Sequence, residues 1–167
     1  MDAMRPPEPL IAAHDLEDFR CGEPVLDEWL RRRALANQEA GASRTYVLVD
    51  DNGAIAGYYA LSAGALLAKE ASGRVRRNMP DPIPVMVLGR LAVSTVCQGQ
   101  GLGRELLRDA VLRTIHASEI VGCRALLVHA LHERAARFYE RSGFQPSPVR
   151  PLTLMLLLSN ARAALEE

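Results

Sequence analysis

Apolar and polar positions follow two different rhythms along this chain, and the switches between them mark its elements. Val85 to Val93 is a near-continuous apolar run, which reads as a strand buried on both faces. From about Gly101 to Ser118 the spacing becomes helical, with Leu107, Ala110, Val111 and Ile115 on one stripe. Cys123 to Leu131 is a second strand-like run, and from His132 the helical period returns. In that helix Ala135, Phe138, Tyr139 and Ser142 share one face, and Arg134, Arg137 and Arg141 occupy the opposite one. Gly143 stands where a left-handed C-cap is wanted, with Phe144 placed for the accompanying hydrophobic contact.

Upstream, Leu10 to Ala13 reads as a first strand. The segment from Phe19 then enters a helix expected to run to about Ala40, with Pro24 near its first turn and Glu23, Asp27 and Glu28 near the positive end of its dipole. Leu26, Trp29, Leu30 and Ala34 form its buried stripe. Arg31, Arg32 and Arg33 fan out by about 100° per residue, so they cannot make one basic surface. Two are then solvated, and Arg33 falls on the apolar stripe as a snorkelling side chain; a direct substrate role is the alternative.

Arg44 to Val49 and Ala54 to Leu61 are two strands joined by the hairpin turn Asp50-Asp-Asn-Gly53. Ala60 to Lys69 permits a strand end or a bend, and Ala71 to Pro84 reads as a loop rich in proline and arginine. That loop collects Arg74, Arg76 and Arg77, which fit either a phosphate-contacting patch or a solvated surface. Pro151 to Leu158 reads as the last strand. Residues 1–9 are expected to be a loose lead, 10–160 a single domain and 161–167 a tail.

Between the Val85–Val93 strand and the helix that follows lies Gln98-Gly-Gln-Gly-Leu-Gly103. A glycine turn feeding a helix N-terminus presents backbone N–H groups under the positive end of the dipole, which suits a phosphate or pyrophosphate. No lysine follows as a P-loop requires, and Arg104 stands where a dinucleotide fingerprint needs glycine. An ordinary strand-to-helix turn is the alternative.

Charge narrows the picture only locally. The chain of 167 residues carries 20 basic and 20 acidic side chains, so global charge does not advertise a polyanion partner. Residues 1–30 hold two Arg against eight Asp or Glu, which leaves the remainder cationic. Lys69 is the only lysine; arginine is the better phosphate fork, although genome composition explains the bias equally well. Cys21, Cys97 and Cys123 form no metal-ligand pair and suggest a reducing, cytoplasmic setting. No signal peptide and no apolar run of membrane-spanning length are present, so no membrane partner is expected.

A strand, Gln98-x-x-Gly101-x-Gly103, a helix, a strand and Phe138-Tyr-Glu-x-x-Gly-Phe144, in that order, resemble the acetyl-CoA half of a GNAT N-acetyltransferase. Further segments resemble one branch, the GNAT toxins of bacterial type II toxin–antitoxin pairs. They are Phe19-Arg-Cys-Gly-Glu-Pro-Val-Leu-Asp-Glu-Trp-Leu30, Gly41-Ala-Ser-Arg-Thr-Tyr46, Gly57-Tyr-Tyr-Ala-Leu-Ser62, Pro80-Asp-Pro-Ile-Pro84, Leu88-Gly-Arg-Leu-Ala-Val93 and Pro151-Leu-Thr-Leu-Met155. Ser94 departs from that branch, which commonly has Asp there.

The resemblance implies an α/β (α+β) GNAT fold: a central mixed, mostly antiparallel sheet of six to seven strands, flanked by about four helices and splayed at its two central strands. It implies acetyl-CoA as cosubstrate. Main-chain groups of Leu91, Ala92 and Val93 would run along the pantetheine arm, with Gln98, Gly99, Gln100, Gly101, Leu102, Gly103 and Arg104 around the pyrophosphate. Tyr139 falls where the family places the acid for the leaving thiolate. It further implies an aminoacyl-tRNA substrate acetylated on its α-amine, a ribbon-helix-helix antitoxin and a homodimer. Arg76, Arg77 and Arg90 are then the first choices for tRNA contacts, and His132 for a positioning role. Arg90 equally fits a pairing with a core acid. The strand over 83–94 carries no carboxylate to act as base, which favours an α-amine near pKa ~7.7–8.0 over a lysine near ~10.4. A GNAT enzyme of small amines or protein N-termini, and a non-catalytic acyl-CoA-binding module, are the alternatives.

Overall fold

A computed structural model describes residues 5–166. Among the described residues the chain forms β1 (Glu8–Pro9), α1 (Pro24–Arg32), α2 (Ala34–Glu39), β2 (Arg44–Val49), β3 (Ile55–Leu66), α3 (Gly73–Arg76), β4 (Ile83–Val93), α4 (Leu102–Ser118), β5 (Ala125–His129), α5 (Glu133–Arg141), β6 (Gln145–Pro146), β7 (Thr153–Leu157) and α6 (Leu158–Glu166). The strands are hydrogen-bonded in the order β1-β2-β3-β4-β5-β7-β6. The β4–β5 pair is parallel, whereas β1–β2, β2–β3, β5–β7 and β6–β7 are antiparallel. The chain clusters into two compact units, one of residues up to Ser62 with Gly89–Ala110, the other of Ala63–Leu88 with Val111 onward.

In the first unit the β2–β3 hairpin turns where Asp-Asn-Gly demands it. The Asp50 carboxylate accepts the N–H groups of Asn52 and Ala54, both at 2.9 Å, and Gly53 takes a φ of 82°. The first strand starts earlier than expected, at Glu8, within the stretch read as a loose lead; the first four residues of that lead lie outside the described residues. Leu10 extends the pairing through its N–H to Thr45 and is buried. His14 Nδ1 then accepts the Ile11 N–H at 3.0 Å and turns the chain, so no strand forms over 10–13.

The helix expected to run to about Ala40 is broken at Arg33, whose φ of −120° separates α1 from α2. The break corrects the placement of the arginines. Arg33 is exposed rather than snorkelling, and it is Arg31 that lies half-buried, its guanidinium donating to the Phe19 carbonyl at 3.0 Å. Leu26, Leu30 and Ala34 bury as the stripe anticipates, against Phe19, Val47 and Tyr58. Asp27 is also buried: its carboxylate accepts the Cys21 N–H at 2.9 Å.

β3 is packed too closely for a side chain at Gly57. A Cβ there would lie 2.8 Å from the tip of Leu106 on α4 and 2.9 Å from the Ala92 carbonyl oxygen on β4.

In the second unit the core gathers Leu66, Val75, Ile83, Val85, Ala125, Leu127 and Met155. β3 runs on to Leu66, so the ambiguous stretch after Ala60 is strand. The proline-arginine loop contains one helical turn, α3, because Val75 buries and Arg124 ties down the turn's carbonyls, donating to Val75 at 3.0 Å and Arg74 at 2.9 Å. The β4–β5 ladder runs from Val85↔Ala125 to Leu88↔Val128 and stops there, although β4 continues to Val93. β4 is also less buried than its apolar run implies, since Met86, Val87, Leu91 and Val93 stay partly exposed. β7 leads directly into α6, which extends through Glu166 over the stretch read as a tail. The three helices read from periodicity become six among the described residues through the α1–α2 break, the single turn of α3, and α6.

A methyl group at Gly57 meets main chain that cannot swing aside. Gly57→Ala is expected to cost about 1–3 kcal/mol of unfolding free energy, read as a lowered denaturant midpoint; an unchanged midpoint contradicts the packing described here.

Candidate functional site: a glycine turn at a helix mouth and a capped tyrosine helix

The first unit holds the turn between β4 and α4. Ser94 N–H bonds Ala56 at 2.8 Å, and Thr95 N–H bonds Arg20 at 2.8 Å, fixing a short 3₁₀ turn over Thr95–Cys97. The Gln98 amide then donates to the carbonyls of Cys21 (2.9 Å) and Val93 (3.0 Å). Gln98 was expected around the pyrophosphate; its side chain instead clamps the root of the turn to the unit's interior. Gly99 and Gly101 adopt φ of 83° and 79°, with nothing within 4 Å of a would-be Cβ, so the need for glycine there is conformational rather than steric. Gln100 and Arg104 are exposed, Gly103 is half-buried, and Leu102 is buried as the anchor of the helix start.

The first main-chain bond at this end of α4 runs from Glu105 N–H to the Gly101 carbonyl at 3.2 Å. The amides of Leu102, Gly103 and Arg104 therefore precede the helical ladder and open at its positive end. On β4, the Ala92 carbonyl lies toward β3 and the Ser94 N–H bonds Ala56 of the segment entering it. Main-chain groups alternate sides along a strand, so those of Leu91 and Val93 face the other edge, past the point where the ladder to β5 has ended. Of the three strand residues expected to hold a ligand by their backbone, Ala92 thus has its carbonyl toward β3, and the Val93 carbonyl accepts the Gln98 amide.

Arg90, the residue before Leu91, is half-buried and sits over an aromatic ring. Its guanidinium carbon is 4.3 Å from the centroid of the Trp29 ring. Burial lowers its pKa, and the core-acid pairing is not found: no described carboxylate forms an ion pair with it. The three thiols are all held protonated. Burial, with the Asp27 carboxylate beside it, pushes Cys21 up to about 12, and burial also raises Cys97 and Cys123.

The second unit holds α5 and Tyr139. His132 caps the helix: its Nδ1 accepts the Ala135 N–H at 3.1 Å, which requires that nitrogen to be unprotonated. Sequence reasoning missed this role, although a helix start three residues before Ala135 was there to be read. His129 is exposed and meets the Thr153 hydroxyl at 2.9 Å. At the other end Gly143 takes φ 98°, its N–H bonds Glu140 at 3.0 Å, and the Phe144 N–H bonds Tyr139 at 3.1 Å. This paired closure explains the glycine and the aromatic of Phe-Tyr-Glu-x-x-Gly-Phe.

Of the face expected from Ala135, Phe138, Tyr139 and Ser142, Tyr139 is buried, Ala135 and Phe138 are half-buried and Ser142 is exposed; Ala136 buries beside Tyr139. Tyr139 is 6% exposed, with ring centroids 5.1 Å from Phe138 and 5.5 Å from Phe144. Its hydroxyl has no hydrogen-bond partner among the described residues, and burial raises its pKa, so the phenol keeps its proton through neutral pH. Arg76 and Arg77 are exposed at the end of α3. The structure thus gathers Arg90, Leu91–Val93 and Gln98–Arg104 in the first unit, while Arg76, Arg77, His132 and Tyr139 belong to the second.

Loss of the imidazole acceptor leaves the first turn of α5 uncapped. His132→Ala is expected to lower stability by about 1 kcal/mol and His132→Asn to restore most of it, as read by thermal unfolding; equal stability of all three proteins contradicts the capping role.

Residues 41–146 match the acetyltransferase (GNAT) domain. The chain is 50% identical over 163 residues to a protein of Mycobacterium tuberculosis named tRNA-acetylating toxin, covering 98% of each. Its fold superposes with a TM-score of 0.88 and 30% identity on AtaT complexed with acetyl-methionyl-tRNAfMet, covering 95% of this chain and 98% of that one. It also superposes with a TM-score of 0.85 and 29% identity on a tyrosine-to-phenylalanine variant of the toxin AtaT bound to the C-terminus of the antitoxin AtaR and acetyl-CoA, covering 99% of this chain and 100% of that one. With the glycine turn, the helix mouth and the capped tyrosine helix in place, this chain belongs to the GNAT family of acetyltransferases.

Proposed function

We propose that this protein is a toxin that transfers the acetyl group of acetyl-CoA to the α-amino group of an aminoacyl-tRNA. The observation that carries the reading is the glycine turn opening on the α4 amides, in a chain half identical to a tRNA-acetylating toxin. The AtaT complexes with acetyl-methionyl-tRNA, and with antitoxin and acetyl-CoA, support the same substrates here.

The pyrophosphate of acetyl-CoA rests on the amides from Gly99 to Arg104, with Arg104 adding positive charge. The pantetheine amides pair with the main chain of Leu91 and Val93 as an added strand would. The substrate amine attacks the thioester carbonyl, a C–N bond forms, and the C–S bond breaks. Tyr139 gives its phenolic proton to the departing thiolate, and the amine's proton passes to water. A phenol of ordinary pKa ~10 is a weaker acid than a thiol near ~8.5, and burial widens the phenol's side of the gap. The same dry surroundings penalise a thiolate, which narrows it again. No acyl-enzyme is needed, and the three raised thiol pKa values leave no cysteine nucleophile to form one.

Arg76, Arg77 and Arg90 contact tRNA phosphates, and His132 acts by fixing the start of the helix that carries Tyr139. We read residues 10–160 as one catalytic domain, since β4 and α4 run through both units. An acetylated α-amine cannot form a peptide bond, so translation stops. A ribbon-helix-helix antitoxin, a homodimer and a cytoplasmic setting complete the reading. No helix among the described residues is long and apolar enough to cross a membrane.

Incubation with labelled acetyl-CoA and total charged tRNA is expected to give N-acetyl-aminoacyl-tRNA. Label appearing instead in free amines or protein N-termini, with none on tRNA, contradicts the assignment. Tyr139→Phe is expected to lower kcat roughly a hundredfold or more and to relieve growth arrest on expression; arrest as strong as the parent's removes Tyr139 from the acid role.

The pH profile follows from the same groups. The amine must lose a proton to attack, so kcat/KM rises with pH up to about 8. Tyr139 must keep its proton to donate, and its raised pKa places that loss above the usual ~10 of a phenol. No descending limb is therefore expected below pH ~9; a fall between pH 7 and 9 would assign a different acid.

A further inference from the structure

We propose that Trp29 is a positioning residue for the amine substrate: its indole holds the Arg90 guanidinium as a preset receptor for a phosphate of the tRNA. The proposal rests on the aminoacyl-tRNA reading above.

Arg90 is half-buried, yet among the described residues its guanidinium has no hydrogen bond and no ion pair; it sits over the Trp29 ring at 4.3 Å and interacts electrostatically with Tyr58. A guanidinium that has lost part of its hydration, with no carboxylate and no acceptor for its five N–H donors, is held in a state that an anion would complete. Seated over an aromatic ring, the guanidinium has one face covered and keeps its N–H donors, which can make a bidentate phosphate contact. The platform beneath it is rigid. Trp29 stacks on Tyr58 with centroids 6.1 Å apart and planes 10° from parallel. Tyr58 is in turn pinned by its hydroxyl, which donates to the Leu26 carbonyl at 2.7 Å, and by the edge of Phe19 at 5.6 Å. Fixing the guanidinium in advance removes the side-chain entropy that a free arginine such as Arg76 or Arg77 loses on binding.

Two phosphate sources exist for this receptor, the coenzyme and the tRNA. The coenzyme's pyrophosphate already has the amides at the mouth of α4, and Arg90 precedes the strand residues given to the pantetheine arm. That leaves the tRNA. The indole therefore acts through Arg90 and touches neither substrate.

The test is steady-state kinetics of tRNA acetylation for Trp29→Leu, Trp29→Phe, Arg90→Gln and Trp29→Leu/Arg90→Gln, with thermal unfolding as a check on folding. Trp29→Leu is expected to raise the KM for charged tRNA about tenfold and Trp29→Phe about threefold, with kcat and the KM for acetyl-CoA within about twofold of the parent. In the Arg90→Gln background Trp29→Leu should add nothing further, because the two residues act as one unit. Arg90→Gln should also lower the salt slope of tRNA binding by about one phosphate contact.

A parallel rise in the acetyl-CoA KM assigns Arg90 to the coenzyme and overturns the proposal, as do additive effects in the double variant. Should Trp29→Leu not fold, Trp29→Phe decides: an intermediate KM supports the proposal and an unchanged one overturns it. A parent enzyme that labels no tRNA removes the functional reading and this inference together. A parent that labels tRNA, with KM unmoved in the Trp29 variants, removes the inference alone.

Discussion

A strand that outruns its ladder is the constraint on which this structure depends. β4 pairs with β5 only from Val85 to Leu88, then continues through Val93 past the end of that ladder, where the Val93 carbonyl accepts the Gln98 amide. Peptide groups left without partners are costly when dry, so such an edge wants an amide-bearing ligand or water. The residues around it keep that edge in place. Gly57 allows β3 to approach β4 and α4 without a side chain, and the Gln98 amide ties Val93 and Cys21 together at the root of the turn. The glycines at 99 and 101 then bend the chain so that α4 begins with its amides outward. Strand edge and helix mouth are consecutive in sequence and lie in one unit, and they carry the amides proposed to hold the pantetheine and the pyrophosphate.

Much of this was legible because the relevant signals are local. Glycine at 99, 101 and 143 is dictated by positive φ, and the hairpin at Asp50–Gly53 follows from the same chemistry together with an aspartate that bonds ahead of itself. The 3.6-residue period located α4 to within a residue of its start. What escaped was set by contacts distant in sequence. Nothing in residues 24–40 announces a break at Arg33, and that break exchanges the environments of Arg31 and Arg33. The proline-arginine loop hides a helical turn because the side chain that stabilises it, Arg124, lies about fifty positions downstream. Gln98 was expected around the pyrophosphate and His132 in a positioning role, and both spend their side chains on the backbone, which spacing alone does not reveal.

The electrostatic pattern is consistent with direct transfer. Every cysteine is raised above its ordinary pKa, which disfavours a thiolate and with it a covalent intermediate. Tyr139 is raised as well, which suits a group that must hold its proton until a stronger base appears. Arg90 is lowered by burial, which the interaction with Tyr58 partly counters, and it sits over an aromatic face.

The central claim is that the amides following the glycine turn hold the coenzyme's diphosphate. Amide NMR or hydrogen exchange of the full chain, with and without coenzyme A, tests it most directly. Protection and shift changes concentrated at Gly99, Gly101, Leu102, Gly103 and Arg104, with a second set at Leu91 and Val93, are the expected result. Coenzyme binding that leaves those amides unmoved and perturbs another part of the chain would contradict the account.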